Sequence, residues 1–328
     1  MRYLRNHSTN VYYNMAFDEY ALEQLPLDEP LFYLWQNRSA VIIGINQNAY
    51  AEVDIDYLHQ HDIALARRIT GGGAVYHDLG NLNYTIVGRS ADIERDYPQY
   101  ARHMMQALRA LGVETELSGR NDILVDGRKV SGYAKRVYKD RLMVHGTLMF
   151  DVDIEHLTHA LTPPSDKLIT KGIASVKSRV ANLKDYLPNI TSTQELSQAL
   201  EQHLSHQYQD EEYLLTEEQR SEIAAIAQRK FATPEWIYGR APSNAITYSR
   251  RLPCGNVEVH LNIKRGHIES ILIDGDFIGN TPTTNIEELL RGCLYEHAAL
   301  RQRLSLIDMQ RYLDNTTNEA FINLLFNS

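Results

Sequence analysis

Two adjacent arginines, Arg67 and Arg68, stand just before three glycines in the run RRITGGG and are the first candidates for chemistry. The run matches neither the phosphate-loop pattern GxxxxGK[ST] nor the dinucleotide pattern GxGxxG. The glycines, residues 71–73, lack Cβ atoms, so their backbone N–H groups can approach an anion, and arginine pairs with phosphate or carboxylate. The run is therefore either a glycine-rich bulge between strands or an anion-binding site.

The next run, HDLGN over residues 77–81, combines a histidine and an aspartate with turn-forming residues. His77 is either a catalytic residue or, more often for such a position, a residue that stacks or hydrogen-bonds locally. Asp78 is directly adjacent to it, and the HxxxH and CxxC spacings of zinc sites are absent from the sequence. We therefore predict a tight loop here and no metal site.

A second group of candidates surrounds a predicted hairpin. Asn121 and Asp122 precede the apolar run ILV, where they either form a turn or supply an oxygen ligand for a Mg²⁺ ion that bridges phosphates. Lys129 follows an Asp-Gly turn and is either a solvated edge residue or a cation directed at a phosphate or a reacting carboxylate. Strict strand alternation places Lys129 and Ser131 on one face and Gly132 on the other.

Apolar periodicity predicts the elements that must hold these residues. The runs LFYLWQ and AVIIGI predict two strands, and residues 14–25 predict a helix. A longer amphipathic helix is predicted over residues 97–111. Turn signals at residues 126–127 and 139–140 predict an antiparallel meander that contains the second group of candidates.

The second half of the chain predicts further helices and a second, smaller unit. Helices are expected over residues 154–161 and 192–207, and a charged helix over residues 211–230. Three alternating runs with glycine-containing turns then precede more helical segments. The pattern predicts an α+β fold, with one domain over residues 1–244 and a small α+β domain over residues 245–328.

Composition and charge narrow the class of protein. The 328 residues are 43% hydrophobic and 23% charged, as in soluble globular proteins. The net charge of −9 argues against non-specific binding to nucleic acid or to an anionic membrane. One basic stretch is a local exception and is either a solvated loop or a docking surface for an acidic partner; it contains Lys171, Lys177, Arg179 and Lys184.

The cysteines and the N-terminal residues predict a compartment. Cys254, in a turn, and Cys293, on a predicted helix, make no disulfide framework and indicate reduced thiols in a cytoplasmic protein. The first residues have no apolar signal region, and no run approaches the ~18 apolar residues of a membrane span. We expect a cytoplasmic protein without a nucleic-acid or membrane partner.

Four motifs together resemble the bacterial lipoate–protein ligase family: RRITGGGAVYHDLGN, GRNDILVDGRKVSGYAKRVYKDRLMVHGTLMFDVDI, KGIASVKSRVANL and RGCLYEHAAL. The resemblance implies that lipoate or octanoate reacts with ATP and Mg²⁺ to give an acyl-AMP and pyrophosphate. The acyl group then passes to a specific lysine of a carrier, either an E2 subunit of a 2-oxoacid dehydrogenase complex or the glycine cleavage H protein. The implied fold is a mixed or antiparallel sheet of the biotin/lipoate ligase type, followed by an accessory domain that moves during the reaction.

The resemblance also implies roles for individual residues. Lys129 matches the family lysine that contacts both lipoate and ATP, and it is the implied catalytic residue. The implied ATP and adenylate residues are Arg68, Gly73, Ala74, Val75, Tyr76, Asn121, Asp122 and Lys129, with Asp122 also implied for Mg²⁺. The implied lipoate residues are Lys129, Trp35, Gly72, His145 and Gly146, with Thr147 beside them.

Two other functions stay open at this point. An acyltransferase of the same fold moves octanoyl or lipoyl groups between carriers without ATP through a cysteine, and it typically lacks the accessory domain; here both cysteines follow residue 250. A non-catalytic protein that binds lipoate or lipoylated carriers is the other, and pyrophosphate release separates it from a ligase. A nucleic-acid role has no support, because no helix-turn-helix precedes residue 67. We expect a monomer.

Overall fold

The structure is a computed structural model that describes residues 1–119, 121–161, 178–208, 212–239, 246–264 and 266–326. No helix within these ranges is long and apolar enough to cross a membrane. The α-helices described are α1 (Val11–Glu23), α2 (Ala49–Glu52), α3 (Ile55–Gln60), α4 (Ile93–Ala110), α5 (Ile154–Ala160), α6 (Thr193–Tyr208), α7 (Glu217–Ile226), α8 (Pro234–Tyr238), α9 (Thr284–Leu290), α10 (His297–Leu304) and α11 (Asn318–Leu325). The strands described are β1 (Arg2–Leu4), β2 (Leu31–Trp35), β3 (Ala40–Ile43), β4 (Ala64–Arg67), β5 (Val75–His77), β6 (Asn81–Arg89), β7 (Glu116–Ser118), β8 (Asp122–Val125), β9 (Arg128–Tyr138), β10 (Arg141–Met149), β11 (Glu212–Tyr213), β12 (Ile246–Leu252), β13 (Gly255–Lys264) and β14 (His267–Gly275).

These strands form three sheets. The largest has eight strands in the order β11-β1-β2-β6-β10-β9-β8-β7 and is mixed, since β1 runs parallel to both β11 and β2 while the pairs from β2 to β7 are antiparallel. A small sheet has the order β4-β3-β5, and an antiparallel sheet of β12, β13 and β14 belongs to the C-terminal residues. Mixed sheets with helices and a C-terminal accessory unit confirm the predicted α+β fold.

Apolar side chains are buried on both faces of the large sheet. On one face Tyr84 packs in a core with Met104 of α4 and Leu200 of α6, all with no exposed surface. On the other face Tyr33 packs against Phe17 of α1, with the two ring centroids 4.9 Å apart. Full burial of such a side chain stabilises the fold by about 1.5–3 kcal/mol, so the sheet between these helices is a rigid support.

Most predicted elements are present, and two helix predictions were wrong. α1 begins at Val11, earlier than predicted, because the Asn10 side chain accepts the first free N–H groups of the helix. The charged stretch over residues 211–230 is not one helix: it includes strand β11, and α7 begins only after the capping residue Thr216. Cys293 lies beyond the end of α9, because Arg291 leaves the helical conformation with a ψ of 131° and Gly292 follows it with a φ of 78°.

The predicted hairpin is confirmed, but its face assignment was wrong. Asp126 and Gly127 have φ values of 49° and 71°, as a tight two-residue turn requires. A β-bulge shifts the register. Asp122 pairs with Gly132, and Leu124 pairs with Lys129. Two residues of β8 are therefore matched by three residues of β9. The extra residue in β9 breaks the alternation and brings Lys129 and Gly132 to the same face.

The C-terminal residues form their own apolar core and contact the rest of the chain near the glycine run. Gly275 donates its N–H to the carbonyl of Asn46 at 2.9 Å, and the Lys135 ammonium lies 3.0 Å from an oxygen of Asp314. Lys135 is only 2% exposed, so this ion pair is largely buried. The predicted domain boundary falls within residues 240–245, outside the described residues, and stays a prediction.

Candidate active site

A cavity of about 110 Å³ lies between the large sheet, at β6, β9 and β10, and the loop that joins β4 to β5. It brings together residues from Met15 to Thr147, which are far apart in the sequence. The predicted site residues that line it are Trp35, Arg68, Gly72, Gly73, Ala74, Val75, Asn121, Lys129, His145, Gly146 and Thr147. Tyr76 and Asp122 are the predicted residues that do not line it.

One row of paired residues makes the wall on the large sheet. Trp35 pairs with Asn83, Asn83 pairs with Thr147, and the Thr147 hydroxyl accepts the N–H of Gly132 at 3.2 Å. Paired residues of neighbouring strands share a face, so the row runs from Trp35 to Gly132 and the adjacent Lys129. Three strand spacings separate its ends, which is about 14 Å.

The three glycines of the run, residues 71–73, differ in what surrounds them, and two of them have a structural constraint. A Cβ at Gly71 would lie 2.5 Å from the carbonyl oxygen of Phe277, so this glycine permits close contact with the C-terminal residues. Gly72 has a φ of 93°, and its N–H donates to the same Phe277 carbonyl at 3.2 Å. Nothing lies within 4 Å of a Cβ at Gly73. The run is a loop between β4 and β5, and Gly73 is its glycine without a structural constraint in this structure.

Arg68 holds this loop from inside. Its guanidinium donates to the carbonyls of Gly71 and Gly73 at 2.7 and 2.8 Å, and its Nε donates to the hydroxyl of Thr70 at 3.0 Å. Burial, with a smaller contribution from Arg67, lowers the pKa of Arg68 to about 10. Arg68 therefore lines the cavity as a cation whose position is set by the loop.

Arg67 has a purely structural place. It is 2% exposed, does not line the cavity, and donates to backbone carbonyls of the β3–α2 loop and of α8. These acceptors include Gly44 at 2.9 Å, Gln47 at 2.6 Å and Ile237 at 2.6 Å. The sequence left open that Arg67 pairs with a phosphate or carboxylate, and the carbonyl oxygens that it binds favour a structural role instead.

Lys129 points its ammonium along the face of Gly132. Nζ lies 2.8 Å from Asp122 Oδ1, and the two side chains are 36% and 35% exposed. A Cβ at Gly132 would lie 2.9 Å from the same Nζ, so the missing side chain makes room for the ammonium. The side chain of Asn121, which also lines the cavity, is held by a hydrogen bond from its Nδ2 to the Tyr133 carbonyl at 2.9 Å. Asp122 does not line the cavity itself and is connected to it by its ion pair with Lys129.

His145 belongs to a buried hydrogen-bond network. Its Nδ1 lies 2.6 Å from Asp18 Oδ2, and its Nε2 lies 2.7 Å from the Thr70 hydroxyl. The other oxygen of Asp18 accepts from Thr85 at 3.0 Å, and Thr85 accepts the indole N–H of Trp35 at 2.9 Å. Both ring nitrogens of His145 are therefore partnered, and the network fixes the orientation of His145 and Trp35.

Gly146 and Tyr76 each have a role in packing that does not depend on a ligand. A Cβ at Gly146 would lie 2.6 Å from the ring of Tyr84, so this glycine leaves space for a core side chain on the far face. The Tyr76 side chain is buried in another apolar cluster and stacks near His156, away from the cavity. Any contact from Tyr76 to a ligand must come from its backbone.

The sequence patterns missed several residues that line the cavity. Met15 of α1, Ile42 of β3 and Ala134 of β9 are apolar residues in predicted elements, and nothing in the sequence distinguishes them from core residues. Asn83 carried a usable signal, since it is a polar residue within the apolar strand β6. His77 was expected to be either catalytic or engaged in local contacts; it lines the cavity, and its Nδ1 contacts Asn37, which is 40 positions away in the sequence.

Comparison with known proteins identifies the family. Residues 10–205 match the model of the lipoyl protein ligase A/B catalytic domain, and residues 241–325 match that of the bacterial lipoate protein ligase C-terminus. Lipoate-protein ligase LplJ of Bacillus subtilis is 39% identical over 317 residues, which are 95% of this chain and 96% of the relative. The chain belongs to the lipoate–protein ligase family.

Solved structures of lipoate–protein ligases have the same fold. A bi-partite lipoate protein ligase from Thermoplasma acidophilum, analysed with its E2 lipoyl domain, is 30% identical with a TM-score of 0.68 and covers 75% of this chain and 98% of its own. A lipoate-protein ligase A bound with ATP is also 30% identical, with a TM-score of 0.64 over 73% of this chain and 98% of its own. The chain is therefore an enzyme of the lipoate–protein ligase type.

The cysteines of this lipoate–protein ligase lie away from the cavity. Cys254 and Cys293 are 0% and 7% exposed and pack in the apolar core of the C-terminal residues. Neither lines the cavity. A thiol nucleophile must reach the acyl group, so the placement does not support an ATP-independent transferase. Of the predicted basic stretch, Lys171 and Lys177 lie outside the described residues, and Lys184 pairs with Asp151 on the surface.

Proposed function

We propose that this lipoate–protein ligase activates lipoate with ATP in the cavity described above and then transfers the lipoyl group to a lysine of a carrier protein. The observation that carries the proposal is the arrangement of one cavity, with the ammonium of Lys129 near one end and the indole of Trp35 at the other. A cation and an apolar end separated by about three strand spacings suit a carboxylate with a long acyl chain.

In the first step an oxygen of the lipoate carboxylate attacks the α-phosphorus of ATP. A new phosphorus–oxygen bond forms while the bond to the β-phosphate oxygen breaks, and pyrophosphate leaves. Lys129 is inferred to hold both the carboxylate and the phosphate, which would otherwise repel each other. A fixed cation stabilises the charge that grows on the phosphoryl oxygens without having to reorganise.

The glycine run supplies the nucleotide side of the proposed site. Gly73, Ala74 and Val75 line the cavity, and a Cβ at Gly73 would meet no other atom within 4 Å, so its backbone is accessible to a ligand. Arg68 keeps the loop in this shape by binding the carbonyls on either side of Gly72. We infer that these residues contact the ATP and adenylate, with Asn121 near the phosphates.

Asp122 is the residue that we infer for Mg²⁺. No group of three or more His, Cys, Asp or Glu side chains suited to a metal occurs in the described part of the chain. Magnesium is commonly bound through one or two carboxylates together with substrate phosphates and waters. Asp122 does not line the cavity and one of its oxygens is paired with Lys129, so it would bind a Mg²⁺ ion that arrives with ATP at the edge of the cavity. When bound, the ion would neutralise phosphate charge.

In the second step the amine of the carrier lysine attacks the acyl carbon, the bond to the AMP oxygen breaks, and AMP leaves. The inferred carriers are lipoyl domains of 2-oxoacid dehydrogenase E2 subunits and the glycine cleavage H protein. Support comes from the related archaeal ligase that was analysed with an E2 lipoyl domain. Octanoate is inferred as a second donor.

The enzyme is further inferred to act as a monomer in the cytoplasm, with no nucleic-acid or membrane partner. A catalytic domain over residues 1–244 and an accessory domain over residues 245–328 accord with the separate apolar core of the C-terminal residues.

Pyrophosphate release tests the activation step. Purified protein with ATP and Mg²⁺ should release pyrophosphate only when lipoate or octanoate is added, and acyl-AMP should be detected by mass spectrometry. Release that does not depend on the acid, or no release at all, would refute the proposal. A thioester trapped on either cysteine would favour a transferase instead.

A further inference from the structure

Two histidines line the cavity, and they differ in how their ring nitrogens are partnered. His145 is held on both sides, by Asp18 and Thr70. His77 contacts Asn37 through Nδ1 at 3.0 Å, while its Nε2 has no partner among the described residues, although the side chain is only 3% exposed. Buried polar groups are almost always hydrogen-bonded, so an unpartnered nitrogen at a cavity wall points to a ligand.

The residues behind His77 decide which nitrogen carries the proton. Asn14 Nδ2 faces the backbone carbonyls of Ser8 and Gln36 at 3.1 and 2.8 Å, which fixes the orientation of this amide. Asn37 Oδ1 lies 2.8 Å from the same Nδ2 and shares its two N–H groups with these carbonyls, so Asn37 turns its own Nδ2 toward His77. A neutral imidazole that accepts at Nδ1 carries its proton on Nε2.

The ring of His77 is neutral at physiological pH. Burial, the guanidinium of Arg68 and the neighbouring His145 lower the pKa of His77 to about 3. The Nε2–H group is therefore a fixed neutral donor. It is suited to holding an acceptor atom of a ligand and not to moving a proton.

His77 lies beside Trp35, at the end of the row of paired residues that is farther from Lys129. Its ring centroid is 6.1 Å from that of Trp35, the residue that begins the row ending at Gly132 and Lys129. Met15 lines the cavity and adds an apolar side chain from α1. With the substrate carboxylate at Lys129, as the proposed function requires, the far end of the acyl chain reaches His77.

Lipoate and octanoate share a carboxylate and an eight-carbon chain, and they differ at this far end, where lipoate carries the two sulfur atoms of its dithiolane ring. Sulfur is a weak hydrogen-bond acceptor, whereas a hydrocarbon chain is none. We propose that His77 is a specificity-determining residue whose Nε2–H donates to a dithiolane sulfur, so that the site favours lipoate over octanoate. The proposal rests on the proposed function and specifies its substrate.

The size of the effect follows from the cost of an unmade hydrogen bond. An octanoyl chain leaves the Nε2–H of His77 buried without an acceptor. A buried donor left unpaired in this way changes discrimination by on the order of 10-fold to 100-fold. The discrimination should depend on the donor and not on the aromatic ring that carries it.

Three variants separate the donor from the ring. The quantity to measure is the ratio of kcat/KM for lipoate to that for octanoate in pyrophosphate release. In His77→Phe we expect the ratio to fall on the order of 10-fold to 100-fold, whereas His77→Gln, which retains an N–H donor, should keep most of it. His156→Phe is the matched control, because His156 does not line the cavity. An unchanged ratio in folded His77→Phe would overturn the proposal.

A measurement on the unaltered protein does not depend on how the variants fold. The ¹⁵N NMR shifts of the His77 ring report which nitrogen carries the proton, and lipoate or octanoate can be added without ATP. A proton on Nε2 whose signal responds to lipoate and not to octanoate supports the proposal. A proton on Nδ1, or an equal response to both acids, overturns it. If neither acid gives pyrophosphate release, the proposed function fails, and the NMR result still decides the role of His77.

Discussion

Replacing Lys129 with alanine should abolish activation while leaving the fold intact. The Lys129 ammonium lies 2.8 Å from Asp122, and the two side chains are 36% and 35% exposed. An ion pair this exposed contributes at most about 1 kcal/mol to stability, which corresponds to a change in Tm of about 2–4 °C in a domain of this size. Removing a fixed group that stabilises charge in the transition state costs on the order of 10²–10³-fold in rate.

Single-turnover formation of lipoyl-AMP is the assay, with Lys184→Ala as the matched control. Lys184 is also a lysine in an exposed ion pair, 2.6 Å from Asp151, but it does not line the cavity. We expect Lys129→Ala to lose adenylate formation by at least about 100-fold and Lys184→Ala to retain it. A normal rate in Lys129→Ala would refute the role of Lys129. A loss of Tm well beyond a few degrees would show that the lysine is structural.

Changes at three other cavity positions have distinct expected results. Gly132→Ala puts a Cβ 2.9 Å from the flexible ammonium of Lys129, so adenylate formation should fall with little change in Tm; unaltered kinetics would contradict the geometry. Gly73→Ala meets no atom within 4 Å, so Tm should hold while calorimetry shows weaker ATP binding, and equal affinity would argue against a ligand at this glycine. The pKa of His77 falls from 6.5 to about 3 on folding, so its imidazole is neutral in both states above pH 6.5. Between those values the unfolded chain binds a proton that the folded chain excludes, and stability falls by about 1.4 kcal/mol per pH unit as the pH is lowered. Denaturant unfolding of His77→Gln should show a shallower acid slope by this amount; an identical slope would mean that His77 titrates normally in the folded chain.

Turns and amphipathic helices could be predicted from the sequence, because neighbouring residues determine them. The Asp-Gly turn before Lys129 requires two residues with positive φ, and the structure places both there. The apolar face of α4 was readable because a helix repeats every 3.6 residues. The bulge in β9 was not readable, since one extra residue in a strand leaves no mark on composition, and it decided that Lys129 and Gly132 share a face.

Contacts between distant parts of the chain could not be predicted from patterns. Asp18 orients His145 across 127 positions of sequence, and α1 looked like an ordinary core helix. Gly71 and Phe277 meet because the C-terminal residues fold back onto the glycine loop. The glycine run therefore looked like a single motif, whereas its members serve separate contacts in three dimensions.

The mass of an acceptor protein tests the central claim most directly. Pure enzyme would be mixed with lipoate, Mg²⁺ and a set of carrier domains, with and without ATP, and each carrier would be weighed by mass spectrometry. We predict that a carrier gains one lipoyl group on its specific lysine only when ATP is present. Lipoylation that proceeds equally without ATP, or no gain on any carrier despite pyrophosphate release, would contradict an ATP-dependent ligase.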